Sequence, residues 1–94
     1  MRAFDAHRDG FHMSFPNGYT VSVMWGQGNY ADAGKTTAEL AVWDVTQDGE
    51  PFVRVPGVTD PYDQVSPRLS AAQVALALHL VAIAAPGAFK RATL

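Results

Sequence analysis

Three histidines, His7, His12 and His79, and nine acids are the side chains of this chain best suited to move protons or hold a metal. There is no cysteine, so thiolate metal sites and disulfides are excluded. No two histidines share an HxH or HExxH spacing. His7 and His12, with Asp5 and Asp9, could gather an ion only if the N-terminal segment folded round it. The expectation is therefore no metal. His79 lies within an apolar run, where a histidine fits a rim or an interface better than a catalytic role. Ser14, Ser22, Ser66 and Ser70 stand in no G-x-S-x-G elbow, and no carboxylate pair stands out as an acid–base couple. The chain reads as a non-enzyme without a cofactor.

Two glycine motifs invite a nucleotide reading and fail it. Gly26-Gln27-Gly28-Asn29-Tyr30-Ala31 matches G-x-G-x-x-A, but the dinucleotide fingerprint needs a helix to start there within a parallel βαβ unit. Gly34-Lys35-Thr36 resembles the end of a phosphate-binding loop, yet the earlier glycine it requires is Asn29. Glycines that permit a bend after a twisted strand account for both.

Ninety-four residues make one domain, 48% hydrophobic and 17% charged, compositions typical of a folded globular chain. The start, MRAFDAHRDG, does not read as a signal peptide. Val74 to Ala85, interrupted by His79, is too short to span a bilayer. A soluble, cytoplasmic protein with no membrane partner is expected. The net charge of −2 is unevenly spread. Residues 39–63 hold Glu39, Asp44, Asp48, Glu50, Asp60 and Asp63 against Arg54 alone, a net of −5, while 64–94 hold Arg68, Lys90 and Arg91 and no acid. An acidic middle suits a basic protein surface and opposes direct nucleic-acid binding.

The elements that must carry these side chains centre on Phe11 to Tyr30. Phe11, Met13 and Phe15 alternate with His12 and Ser14; Tyr19, Val21, Val23 and Trp25 alternate with Thr20, Ser22 and Met24. A period of two puts each set on one face of a strand, and Pro16-Asn17-Gly18 supplies the hairpin turn. Each large buried side chain contributes roughly 1.5–3 kcal/mol, and a slip of one residue would expose the whole set. Thr36 to Val45 reads as a third strand. Glu39 and Asp44 have opposite parity there, so one faces inward at an end or a bulge intervenes. Gln47 to Glu50 is a turn, and Pro51 to Val55 a short fourth strand at an edge.

The assignment is one domain, 1–94: residues 1–10 a flexible arm, 11–55 the sheet, 56–69 a surface connector with Pro56, Pro61 and Pro67, and 70–86 a helix. Ser70-Ala71-Ala72-Gln73 has the capping-box spacing, Ala and Leu favour helix, and Pro86-Gly87 ends it. Val74, Leu78, Val81 and Ala85 form a stripe widened by Leu76, Leu80 and Ile83. A helix so apolar needs more cover than one sheet face, so Leu76, His79, Leu80 and Ile83 are expected to mediate self-association, leaving a monomer or homodimer. The fold class is α+β, a four-stranded antiparallel meander with one C-terminal helix packed on it.

The run FHMSFPNGYTVSVMWGQGNY resembles short proteins of unknown function from bacteriophages and prophages. Their pattern is aromatic-x-Met-x-Phe, an Asn-Gly turn, T-V-S-V, then G-x-G-N-Y. Ala38 to Trp43, Asp48-Gly49 and a terminal helix continue the likeness over about two-thirds of the chain. A Cys often follows the Tyr in that group; here it is Ala31. The resemblance implies a phage context. Small acidic phage proteins of this class look like anti-defence inhibitors, including anti-CRISPR proteins that occupy the nucleic-acid groove of a host complex.

The expected function is thus non-catalytic inhibition of a host protein or ribonucleoprotein with a basic groove. The expected contacts are Asp32, Glu39, Asp44, Asp48, Glu50, Asp60 and Asp63 with Tyr30 and Tyr62, aromatics beside acids being enriched at interfaces. The alternatives are a phage structural or assembly accessory acting through oligomerisation, and a small-molecule or nucleotide binder using Gly26 to Lys35.

Overall fold

The computed structural model describes residues 3–26, 35–59 and 65–92. Five strands and one helix follow in chain order: β1 (Phe4–His7), β2 (Gly10–Ser14), β3 (Tyr19–Met24), β4 (Thr37–Asp44), β5 (Val65–Ser70) and α1 (Ala71–Ile83). The strands form one antiparallel sheet in the order β1-β2-β3-β4-β5, and α1 lies across one face of it. The α+β class and the meander stand; the sheet has five strands, not four.

The hairpin register follows the apolar alternation. Phe11 pairs with Val23 and Met13 with Val21. Tyr19, Val21 and Val23 are buried with Leu40 and Val42 from β4 and Ala77 and Val81 from α1, and Phe11, Phe15 and Trp25 pack against them. Phe15 N–H donates to the Tyr19 carbonyl and Gly18 N–H to the Phe15 carbonyl, leaving a three-residue connection. Gly18 alone takes the left-handed conformation, at φ 94°. Asn17 is spared it, and its side chain serves elsewhere.

Three boundaries differ from expectation. Phe4–His7, assigned to a flexible arm, forms the edge strand β1, paired with β2 through Asp5 opposite His12 and Ala6 opposite Phe11. Its four residues are all exposed, so burial left no alternation strong enough to read. Pro51 to Val55 forms only isolated bridges, Trp43 to Phe52 and Val53 to Arg91. The neighbour of Val53 is the C-terminal tail, with Arg54 N–H donating to the Lys90 carbonyl and Ala92 N–H to that of Phe52. Finally, part of the assigned connector is β5, with Ser66 and Leu69 buried. Ala38 faces Leu69 and Leu40 faces Ser66, so β5 carries one extra residue at Pro67-Arg68. Proline lacks the ladder donor and Arg68 sits at φ 59°, so the bulge falls where pairing is already broken, on an edge strand.

Helix α1 starts as its spacing predicts. Gln73 N–H donates to Ser70 Oγ while the Gln73 amide oxygen accepts from Ser70 N–H, a complete capping box. Its buried face centres on Ala77 and Val81, with Val74, Leu78, Leu80 and Ala84 packed beside them. The small Ala77 is fully buried between the helix and the sheet. No helix among the described residues is long and apolar enough to cross a membrane.

Candidate functional site

The sheet has one face under α1 and one face free of it. The register assembles the free face in rows. Asp5, His12, Ser22, Ala41 and Val65 stand side by side across all five strands. The next row places His7, Gly10, Met24 and Glu39 in line, and on the other side run Ser14, Thr20, Trp43 and Phe52. Ser14 Oγ and Thr20 Oγ1 share a hydrogen bond of 2.9 Å. A recess of about 260 Å³ opens between His12, Ser22, Glu39, Trp43 and Phe52. The Trp43 ring meets His12 edge-on at 5.2 Å and Phe52 at 6.1 Å. The Oε2 atom of Glu39 is buried there and has no hydrogen-bond partner among the described residues.

His12 is the centre of this face. Its ring lies 4.2 Å from that of His7, whose Nε2 is 3.8 Å from Asp5 Oδ2. Burial holds the His12 imidazole below its ordinary pKa, and His7 pushes the same way against the opposing pull of Asp5. A neutral imidazole keeps a lone pair free at neutral pH. The condition set by the sequence, an N-terminal segment folded back on His12, is met by β1. Asp5 and His7 join His12; Asp9 instead lies against Gly26, its Oδ2 3.0 Å from where a Cβ would stand there. Sequence reasoning could see these residue types but not the strand that brings them together.

The described acidic residues expected at a partner surface take different environments. Asp44, expected at the partner surface, is 2% exposed. Its Oδ1 accepts from Thr46 N–H at 2.9 Å and Thr46 hydroxyl at 2.6 Å, and its Oδ2 from the Gln47 amide at 2.9 Å. These bonds hold its pKa below the usual carboxylate value against the effect of burial. The inward parity that the sequence left open belongs to Asp44, which braces the turn through Thr46 and Gln47. Glu39 faces the recess and is half-buried. Asp48 and Glu50 are exposed on the corner that Asp44 braces. Glu50 sits at φ 44° after Gly49 at φ 77°. Arg91 reaches the same corner, donating to Gln47 Oε1 at 3.2 Å. Asp32, Asp60, Asp63, Tyr30 and Tyr62 lie outside the described residues.

On α1, Leu76 is 47% and Ile83 67% exposed, and His79 between them is exposed. Leu80, expected with them, packs against the core instead, because its position turns it toward the sheet side of the helix. The helix carries no charged side chain from Ala71 to Ile83. On its other flank an apolar groove of about 410 Å³ runs between Phe11, Trp25, Leu69, Val74 and Leu78.

No family model, no curated protein and no solved structure matches this chain.

Proposed function

We propose that the chain is a non-catalytic binding protein of phage type that pairs with a second copy through α1 and blocks a basic surface of a host nucleic-acid-targeting complex. The observation that carries this reading is the outer stripe of α1. Ala72, Leu76, His79 and Ile83 follow a four–three–four spacing, the period of a helix–helix seam. An outward helix face ordinarily carries charges; this one has none, so two copies meet without like-charge repulsion. The rigid corner bearing Asp48 and Glu50 supplies the acidic contact. Backbone strain at Glu50, where glycine or asparagine would sit more easily, fits a side chain kept for recognition. A dimer presents two such corners, and a second attachment raises the apparent affinity without new contacts. The hairpin's resemblance to phage proteins supplies the class of partner.

The test is capture of a nucleic-acid-binding complex from host lysate by the wild-type chain, with nucleic acid as competitor and salt varied. Capture should weaken with salt, and target nucleic acid should displace the chain. The double reversal D48K/E50K should abolish both effects. Unchanged capture by that variant removes the acidic corner from the mechanism.

The apolar groove favours a second reading, a small-molecule binder. Its volume lies in the range of ligand pockets, and Trp25 on its wall precedes the Gly26–Lys35 segment expected to bind a ligand. A thermal-shift screen against nucleotides decides it, since a ligand at a hundred times its Kd adds about 2.7 kcal/mol.

A further inference from the structure

We infer that Asp5, His7 and His12 form a binding site for one divalent transition-metal ion of the zinc class, fastening β1 to β2. The donor atoms of the three side chains already lie within 4.8 Å of one another. The antiparallel register is the reason. Asp5 stands directly opposite His12, and His7, two residues on, projects from the same face. The residue opposite His7 is Gly10, so no side chain stands between His7 and the ring of His12. A Cβ at Gly10 would run into the Val23 carbonyl and the Met24 sulfur, so the packing of β3 admits only glycine opposite His7.

The remaining movement is small and falls on the free side chains. Zinc–nitrogen bonds of about 2.0–2.1 Å in a tetrahedron place donors about 3.4 Å apart. Asp5 and His7 are exposed and can rotate inward, while His12 is half-buried with its ring edge-on to Trp43. Two imidazoles and one carboxylate suit zinc, nickel or copper; magnesium and calcium prefer oxygen alone. Glu39, whose Oε2 is buried with no hydrogen-bond partner among the described residues, lines the same recess as His12 and offers a further carboxylate on the inner side. Three protein ligands leave an open coordination position on the solvent side, where water or a donor from another molecule can bind.

Without an ion, Asp5 and His7 form an exposed pair at 3.8 Å, an interaction of little worth, and all four residues of β1 are exposed. A bound ion links the edge strand to its neighbour and should raise the melting temperature of the full-length chain. Titration calorimetry with zinc chloride is expected to show one ion per chain. At a hundredfold excess over Kd the melting temperature should rise by roughly 11–22 °C, with magnesium giving no shift. His7→Ala and His12→Ala should each weaken binding by about 100-fold or more, whereas His79→Ala should leave it unchanged. His7 is exposed, so its variant keeps the fold, which circular dichroism verifies. Cobalt(II) in place of zinc should give visible absorption bands that His7→Ala removes. Zinc binding that survives His7→Ala and His12→Ala, or no binding to the wild-type chain at millimolar zinc, overturns the site.

Discussion

The side-chain amide of Asn17 donates to the carbonyl of Val81 at 2.7 Å, and to that of Ala84 at 3.0 Å, joining the hairpin turn to the last turn of α1. The final carbonyls of a helix lack the ordinary partner four residues on. Asn17 donates to two carbonyls at this end from 64 or more residues away, sharing that of Val81 with the Ala84 N–H at 3.3 Å, while its Oδ1 accepts from Tyr19 N–H. The contact fixes where α1 ends against the sheet, and Tyr19 extends the tie by accepting from Phe89 N–H at 2.9 Å. Asn17→Ala should therefore cost about 1–2 kcal/mol. Asn17→Asp should cost more, because a carboxylate cannot donate and faces the negative end of the helix dipole. Urea midpoints that rank aspartate above alanine would mean the amide bonds to α1 are not what matters at this position.

Asp44 makes acid stability measurable at a single group. Its pKa in the fold lies below the free value of about 3.9, held there by Thr46 and Gln47. The stabilisation from its charged form is complete above the unfolded pKa. It is lost as pH falls through the lower folded value, where the native carboxylate takes up its proton. Asp44→Asn should lose about 1–3 kcal/mol near neutral pH, since one acceptor becomes a donor facing donors. Its stability should then fall less steeply in acid than that of the wild type. Parallel slopes for the two proteins below about pH 4 would assign the acid loss to other carboxylates.

What could be read from the residues tracks how local each signal is. The hairpin register was legible because Phe11, Val21 and Val23 alternate and only one register buries them. The capping box was legible because Ser70 and Gln73 are three residues apart. The link from Asn17 to Val81 was not, since nothing local distinguishes a turn asparagine that also caps a distant helix. Strand β1 was hidden because its polar side chains all remain exposed, and β5 because Pro67 argues against a strand unless an edge bulge receives it. The candidate metal ligands were visible as types, but their meeting depended on the strand that was missed. The burial of Asp44 and the packing of Leu80 on the core are not legible, because charge and hydrophobicity along the chain do not reveal which face a residue takes.

Gly10 bears on both the fold and the ligand cluster. With a Cβ, residue 10 would meet the backbone carbonyl of Val23 and the side chain of Met24, and the backbone carbonyl cannot yield as a flexible side chain can. Gly10→Ala should cost about 1–3 kcal/mol through a shift of β2 against β3. The shift should also disturb the pairing of His7 with residue 10. Hydrogen exchange at the β1–β2 amides should accelerate in the variant more than exchange in α1. Uniform acceleration across the chain would show a global loss without local loosening.

Pairing through α1 can be tested separately from folding, because Leu76 and Ile83 are exposed in the single chain. Replacing either with glutamate removes no intramolecular packing at the core, so monomer stability should change by no more than about 0.5 kcal/mol. Burying a second copy's stripe against Leu76, His79 and Ile83 places those glutamates in an apolar seam, where an unpaired charge is strongly unfavourable. Sedimentation velocity should accordingly show the wild-type chain moving from monomer to dimer as concentration rises, and L76E/I83E remaining monomeric throughout. The melting temperature of the wild type should rise with concentration, as it does when association favours the folded state, and that of the double variant should not. Leu80→Ala provides the contrast: Leu80 packs on the chain's own core, so its loss should lower stability at every concentration and leave the dependence on concentration in place. A wild type that stays monomeric at high concentration, or a double variant that dimerises as well as the wild type, would leave this face of α1 without a second copy as its occupant.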